Sequence, residues 1–148
     1  MPDAPTRFGR TDTATETRTF AADAGEVATV DAWIGAVGQG WGAGEKTVFA
    51  ARLCVAELFA NVLEHGKAEP DDRVTVTLLR RPDGLGVAFA DTSAPFDPTA
   101  AVVPEQAQSI ETATIAGRGL MLLRNYASDL AHRHDAAGNH LTFFVATR

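Results

Sequence analysis

One segment of the sequence, from about Glu45 to His65, predicts a helix that is apolar over most of its surface. Its apolar residues cover more than a narrow stripe: Val48, Phe49, Leu53, Val55, Leu58, Phe59, Val62 and Leu63. A helix with so wide an apolar surface is mostly buried in a folded domain. Gly66 follows at a position where glycine commonly ends a helix. Any fold available to this chain must bury this helix.

A shorter helix is predicted before it. Asp23 and Glu26 resemble an N-cap and its capping-box partner. Apolar residues then recur at spacings of three and four, the period of one helix face: Val27, Val30, Ile34, Val37 and Trp41. Four glycines are expected to break this helix: Gly38, Gly40, Gly42 and Gly44.

The remaining elements are predicted to be strands. Thr17–Ala22 is a candidate first strand, and residues 74–79 alternate before a Pro82–Gly84 turn. A second alternating run ends on Asp91, which completes a hairpin. Two final strands are expected at Leu130–Asp135 and Leu141–Thr147, joined by the sequence Ala-Ala-Gly-Asn.

Residues 92–116 have no clear period and contain three prolines, and such a long irregular segment is usually functional, often a lid. A third helix is predicted to begin at about Gly119. The order of elements predicts an α/β (α+β) two-layer sandwich, with a mainly antiparallel mixed sheet and helices on one face. Residues 1–16 are expected to form a flexible tail and residues 17–148 one domain.

Composition excludes several functional classes. The net charge of −6 argues against sequence-independent binding of nucleic acid, which requires a basic surface. No apolar run reaches the roughly 18 residues of a membrane span, and the N-terminus does not resemble a secretory signal. The single cysteine, Cys54, cannot form an internal disulfide. We therefore expect a cytoplasmic protein that binds neither membranes nor nucleic acid directly.

Three polar residues interrupt the apolar helix at intervals of four, Glu57, Asn61 and His65, so they lie along one helix face. An Asn oxygen at this position can coordinate Mg²⁺, and Glu57 one turn earlier can accept a proton. The alternative is a polar helix edge exposed to solvent. The spacing by itself favours this alternative.

Two further motifs follow. In Asp91–Pro98 a carboxylate at a strand end can accept a hydrogen bond from an exocyclic amine, beside an apolar wall that includes Phe96; the alternative is an Asp that caps a turn. In Gly117–Leu123 glycines before a helix allow close approach of phosphate, and Arg118 adds a charged donor; the alternative is an ordinary helix entry. His132 and His134 share a strand face, but no third metal ligand is evident, so we interpret them as exposed or sheet-face residues.

The order of the three motifs resembles the N, G1 and G2 boxes of the Bergerat-fold ATP-binding superfamily. Within it, the chain is most similar to the anti-sigma factor serine/threonine kinase family. ELFANVLEHG matches the pattern E-x-x-x-N-x-x-x-H-G, DTSAPFDP matches D-x-G-x-P-F-D-P, and GRGLMLL matches G-R-G-L-x-L. The resemblance extends from about residue 17 to residue 147.

The resemblance implies ATP and Mg²⁺ as cofactors, with Glu57 as general base and Asn61 as Mg²⁺ ligand. It places His65 and Gly66 beside the nucleotide and Asp91 at the adenine amine, assisted by Thr142. Residues 99–116 would form the ATP lid, and the phosphates would meet the group Gly117, Arg118, Gly119 and Leu120. Ser93 stands where the family pattern has glycine, and between Asp97 and Arg118 the chain has no basic residue.

The resemblance therefore predicts an ATP-binding anti-sigma factor that sequesters a sigma factor and phosphorylates Ser or Thr of a STAS-domain anti-anti-sigma antagonist. A homodimer is expected. Ser93 and the lid without basic residues motivate an alternative, a non-catalytic switch in which ATP shapes a protein-binding surface. A further alternative is the detached ATPase domain of a histidine-kinase-type system.

Overall fold

A computed structural model describes residues 14–65, 69–95 and 123–147 of the chain, except for the side chain of His65. The elements are two helices and five strands: β1 Ala14–Ala21, α1 Val27–Gly40, α2 Glu45–His65, β2 Arg73–Arg81, β3 Gly84–Asp91, β4 Ser128–Asp135 and β5 Gly138–Ala146. A short 3₁₀ turn, Ala24–Glu26, precedes α1, and residues 123–126 are helical. No helix in the described ranges has the length and apolar character that crossing a membrane requires.

The five strands form one sheet in the order β1-β2-β3-β5-β4, and every described pair is antiparallel. Alternate residues of β2, β3 and β5 are buried, because one face of the sheet packs against the helices. That face supplies the core residues Val74, Val76, Leu78, Leu85, Val87, Phe89, Leu141, Phe143 and Val145. The two-layer α/β sandwich predicted from the sequence is confirmed.

Helix α2 contributes the largest share of the helical side of the core, including Cys54, Val55, Leu58 and Phe59, all at most 2% exposed. Its predicted limits are confirmed, but Phe49, which the sequence analysis included in the apolar surface, is 55% exposed. Each of the buried apolar side chains contributes roughly 1.5–3 kcal/mol to the hydrophobic stabilisation of the fold.

The glycines predicted to break the first helix act differently. Helix α1 continues through Gly38 and ends at Gly40. Gly38 is buried, and a Cβ atom there would lie 2.6 Å from Cγ2 of Val48 on α2. Gly38 therefore permits close packing of the two helices, and the prediction that it breaks α1 is wrong.

The predicted capping box is also wrong. Asp23 makes no side-chain cap hydrogen bond. The Glu26 carboxylate instead accepts a hydrogen bond from the backbone N–H of Ala21, at 3.3 Å. Glu26 thus ties the start of the helical segment to the end of β1.

The strand boundaries differ from the sequence prediction, most of all at the starts of β1 and β5. Strand β1 begins at Ala14, so residues 14–16 pair with β2 and do not belong to a tail. Strand β5 begins at Gly138, because the β4–β5 turn uses only residues 136 and 137. Gly138 has φ +121°, and a Cβ there would lie 2.0 Å from the carbonyl oxygen of Asp91, so glycine is required.

Candidate functional site

A narrow cavity lies where the C-terminal part of α2 crosses the ends of β3 and β5. Its polar lining is Asn61 of α2, Asp91 of β3, Asn139 of β5 and His132 of β4, and its apolar lining is Leu58, Val62, Phe89 and Leu141. Its volume is about 20 Å³, room for about one water molecule. Only the edge of a ligand can therefore enter between Asp91 and Asn61 as they stand.

Asp91 is 7% exposed and accepts three hydrogen bonds on one carboxylate oxygen. The backbone N–H of Ser93 donates to Oδ1 at 3.1 Å, the Ser93 hydroxyl donates to the same atom, and Nδ2 of Asn139 donates to it at 3.0 Å. Among the described residues no donor reaches Oδ2. One oxygen of this carboxylate is thus held by the protein, and the other remains able to accept from a ligand.

Ser93 occupies the position where the family pattern has glycine, and its backbone needs no glycine here. Within the described ranges, Asp129 is the one non-glycine residue with positive φ, so Ser93 does not adopt the left-handed conformation. Its side chain is buried and adds a hydroxyl donor to Asp91. The serine therefore supports the carboxylate that the motif places at this strand end.

Asn139 was missed by sequence reasoning, because the sequence Ala-Ala-Gly-Asn was interpreted as a loop. In the sheet Asn139 lies directly opposite Asp91 in the β3–β5 register. Its Nδ2 donates to Asp91 and, at 2.9 Å, to the carbonyl oxygen of Ala94. The alternation of β5 could have revealed it, since Asn139 is two residues before Leu141 and on the same face.

Thr142 lies on the other face of the sheet. The buried face of β5 carries Asn139, Leu141, Phe143 and Val145, and Thr142 falls between them. It pairs with Ala88 of β3 and Ala131 of β4. The expectation that Thr142 assists Asp91 is therefore not met, because a one-residue step along a strand reverses the side-chain direction.

Asn61 and Glu57 lie one turn apart on α2, as the spacing predicted. Asn61 is 4% exposed and lines the cavity, opposite Asp91. A carboxamide that is nearly buried and faces a cavity is typical of a ligand contact. Glu57 is half-buried on the same helix.

Magnesium fits the donor chemistry of Asn61, because Mg²⁺ prefers oxygen ligands and usually keeps several waters and substrate phosphates with only one or two protein ligands. The described residues contain no group of three or more His, Cys, Asp or Glu that would form an all-protein metal cage. His132 and His134 accordingly do not form part of such a group. His134 is exposed, and Nε2 of His132 lies 3.3 Å from Oδ1 of Asn139.

Several predicted site residues lie outside the described residues. They are the side chain of His65, Gly66, Phe96, the predicted lid at 99–116, and the predicted phosphate contacts Gly117, Arg118, Gly119 and Leu120. Their predicted roles stay predictions.

A second hydrogen-bonded carboxylate, Asp135, ends the edge strand β4, which is separated from β3 by β5. Oδ1 accepts from Nε2 of His140 and from the backbone N–H of Ala137, both at 2.9 Å, and Oδ2 accepts from Arg133. The His140 hydrogen bond, with those from Ala137 and Arg133, lowers the pKa of Asp135 to about 2. This cluster is exposed, on the face of the sheet away from the helices.

Residues 20–145 match the family described as the histidine kinase-like ATPase domain. Serine/threonine-protein kinase BtrW of Bordetella bronchiseptica is 30% identical over 95 residues, which cover 64% of this chain and 67% of that protein.

Two solved structures are also similar. The blue-light activated histidine kinase of Erythrobacter litoralis EL346 has a TM-score of 0.48 at 16% identity, over 71% of this chain and 32% of that chain. The histidine kinase domain of the same protein has the same TM-score and identity, over 83% of this chain and 60% of that chain. This chain thus spans about a third of the first structure's length and three fifths of the second's.

Proposed function

The chain belongs to the family of histidine kinase-like ATPase domains, and from this premise we propose that it is an ATP-dependent protein kinase. It sequesters a sigma factor and phosphorylates a serine or threonine of a STAS-domain anti-anti-sigma antagonist. The printed name of its relative BtrW supports serine or threonine as the acceptor. The sigma factor, the antagonist and a homodimeric state follow from the resemblance of the three boxes.

One observation carries the nucleotide part of the proposal. A buried carboxylate that the protein holds by one oxygen, Asp91, and a nearly buried carboxamide, Asn61, line the same cavity. Oδ2 of Asp91 suits the exocyclic amine of adenine, and Asn61 on the adjacent helix suits the cation that accompanies the phosphates. ATP, the ligand expected for an ATPase family, has both features: an exocyclic amine on its base and phosphates that bind a cation.

The residues of this chain then have distinct roles in phosphoryl transfer. Asp91 orients the base, Asn61 holds Mg²⁺, and Glu57 accepts the proton of the attacking hydroxyl. Bound Mg²⁺ neutralises charge on the transferring phosphoryl group. Most of the catalysis in such a site is positioning and electrostatic stabilisation, so the protein mainly holds groups in place.

Nucleotide binding is tested first by thermal unfolding with and without Mg-ATP. A ligand at 100 times its dissociation constant stabilises the folded state by about 2.7 kcal/mol, which raises the unfolding midpoint by several degrees. The matched control is Mg-GTP at the same concentration. The absence of any shift with ATP would exclude the proposal at its first step.

Kinase activity is tested by incubation with Mg-ATP and a STAS-domain antagonist, followed by detection of phosphoserine and phosphothreonine. We expect the Glu57→Gln variant to bind ATP with little change but to lose at least about hundredfold in rate, because the proton acceptor is gone. Glu45→Gln, at the other end of α2, is the matched control and should retain the rate. Partner binding that depends on ATP without any phosphorylation would favour the non-catalytic switch.

A further inference from the structure

The side chains of His132, Asn139 and Asp91 form a continuous hydrogen-bonded chain across β4, β5 and β3. Asn139 is 4% exposed, so the orientation of its carboxamide is set by its neighbours. Nδ2 faces three groups that can only accept: the Asp91 carboxylate at 3.0 Å and the carbonyl oxygens of Ala94 and Ser93 at 2.9 and 3.4 Å. A carboxamide oxygen in that place would face three acceptors, so the NH₂ group must point toward them.

The opposite side of the carboxamide is therefore fixed as well. Oδ1 of Asn139 faces Nε2 of His132 at 3.3 Å, and a carboxamide oxygen only accepts. Nε2 of His132 consequently carries the hydrogen. His132 donates to Asn139, and Asn139 donates to Asp91. Both hydrogen bonds therefore point from the edge strand β4 toward the cavity.

This direction determines which atom of Asp91 meets a ligand. Oδ1 is engaged by Asn139 and Ser93, and Oδ2 is the oxygen left for the base. We propose that Asn139, oriented by His132, is a positioning residue that gives this site its preference for purine nucleotides with a 6-amino group over those without one. The inference rests on the proposed nucleotide-binding function and extends it to base selection.

This geometry predicts that removing Asn139 weakens the binding of the amine-bearing base specifically. Without Asn139, the two Ser93 donors still hold Oδ1 at one side, but the carboxylate plane loses the support from β5. The distance from Oδ2 to the amine then varies, while contacts to the sugar and phosphates are unchanged. A purely structural role for Asn139 would weaken all nucleotides equally.

The experiment measures dissociation constants of ATP and of purine riboside triphosphate, which differs from ATP only by the absence of the 6-amino group. For the wild type we expect ATP to bind about tenfold or more tightly than the analogue. For Asn139→Leu we expect ATP affinity to fall about tenfold and analogue affinity to change less than twofold. The ratio of the two constants is the readout.

Substitutions of His132 give a second test, on the residue that orients the Asn139 carboxamide. His132→Leu removes the donor to Asn139 and should lower the ratio about threefold. His132→Gln supplies an amide donor in its place and should keep the ratio within about twofold of the wild type. Ser128→Ala, four residues away on the same strand and exposed, is the matched control and should change nothing.

The outcomes separate this inference from the function on which it rests. Wild type that binds neither nucleotide would overturn the proposed function, and the inference with it. Wild type that binds ATP, with both nucleotides weakened equally in Asn139→Leu, would overturn the inference alone. If Asn139→Leu does not fold, an unchanged ratio in His132→Leu would overturn it equally.

Discussion

Two carboxylates at strand ends, Asp91 of β3 and Asp135 of β4, lie on either side of β5 and each accept three hydrogen bonds. At Asp135 the donors include the side chains of Arg133 and His140, and both carboxylate oxygens are used. At Asp91 all three donors are uncharged and converge on one oxygen. The exposed carboxylate is satisfied by the protein, whereas the buried one keeps an acceptor for a ligand.

The number of donors is the same at both carboxylates, so it does not separate Asp135, which the protein satisfies, from Asp91, which we propose binds the base. Burial and the distribution of the donors over the two carboxylate oxygens do separate them. A buried carboxylate with one unused oxygen is costly in the free protein, and a bound amine removes that cost. The following predictions test this difference, beginning with the largest effect.

Gly138 connects the two carboxylates, because it pairs with Asp135 and lies against the carbonyl of Asp91. Gly138→Ala should lower the free energy of unfolding by about 3 kcal/mol or more, since its Cβ would overlap a backbone oxygen and φ is +121°. Urea denaturation measures the change. Gly40→Ala is the control: no atom lies within 4 Å of its added Cβ, so stability should be unchanged or raised by up to about 1 kcal/mol. Equal tolerance at both positions would contradict the contact with Asp91.

Asp91→Asn should reduce ATP affinity at least about hundredfold. The donors from Ser93 and Asn139 will hold the remaining carboxamide oxygen, which turns the new NH₂ toward the amine of the base. Calorimetric titration gives the affinity. Asp135→Asn, the matched substitution in the exposed cluster, should change it less than twofold, and similar losses at the two positions would remove the distinction drawn between them.

Ser93→Ala keeps the backbone N–H donor to Asp91 and removes the hydroxyl donor. A hydrogen bond to a carboxylate contributes about 1.5–3 kcal/mol, so we expect ATP affinity to fall about tenfold. Thr92→Ala is the control, because the Thr92 hydroxyl bonds Asp72 and Arg73 and not Asp91. An affinity unchanged in Ser93→Ala would mean that the hydroxyl does not support base binding.

Asp135 should make the smallest contribution, and one that depends on pH. Its pKa in the folded protein is about 2, below the usual 3.8, so its stabilising effect is present above about pH 4 and is lost as the pH falls toward 2. Comparing wild type with Asp135→Asn by thermal unfolding, we expect a difference of less than about 2 °C at pH 7 that disappears near pH 2. A difference that grows on acidification would have the wrong sign.

Elements governed by local patterns were predictable from the sequence. The width of the apolar surface indicated α2, and strict alternation indicated β2 and β3, including the end of β3 at Asp91. These signals depend on neighbours three or four residues apart in a helix and two apart in a strand. They also sufficed to put Asn61 and Asp91 forward as site candidates.

Features that depend on distant contacts were not predictable. Gly38 resembles a helix breaker until Val48 of the next helix is brought against it. Asn139 resembles a loop residue until the sheet register sets it opposite Asp91, and Thr142 lies on the wrong face by a single residue. Register is a tertiary property, so no local pattern could assign the partner of Asp91.

The strand order determines which part of the candidate site opens first as the protein unfolds. Strands β3 and β5, which carry Asp91 and Asn139, each have a neighbour on both sides, whereas β4 has one neighbour among the described strands. Backbone amides of β3 and β5 should exchange with deuterium only in the rarest, near-global openings, and those of β4 sooner. Fraying of β4 would release His132 first, so selectivity among bases should decay at lower temperature than nucleotide binding itself.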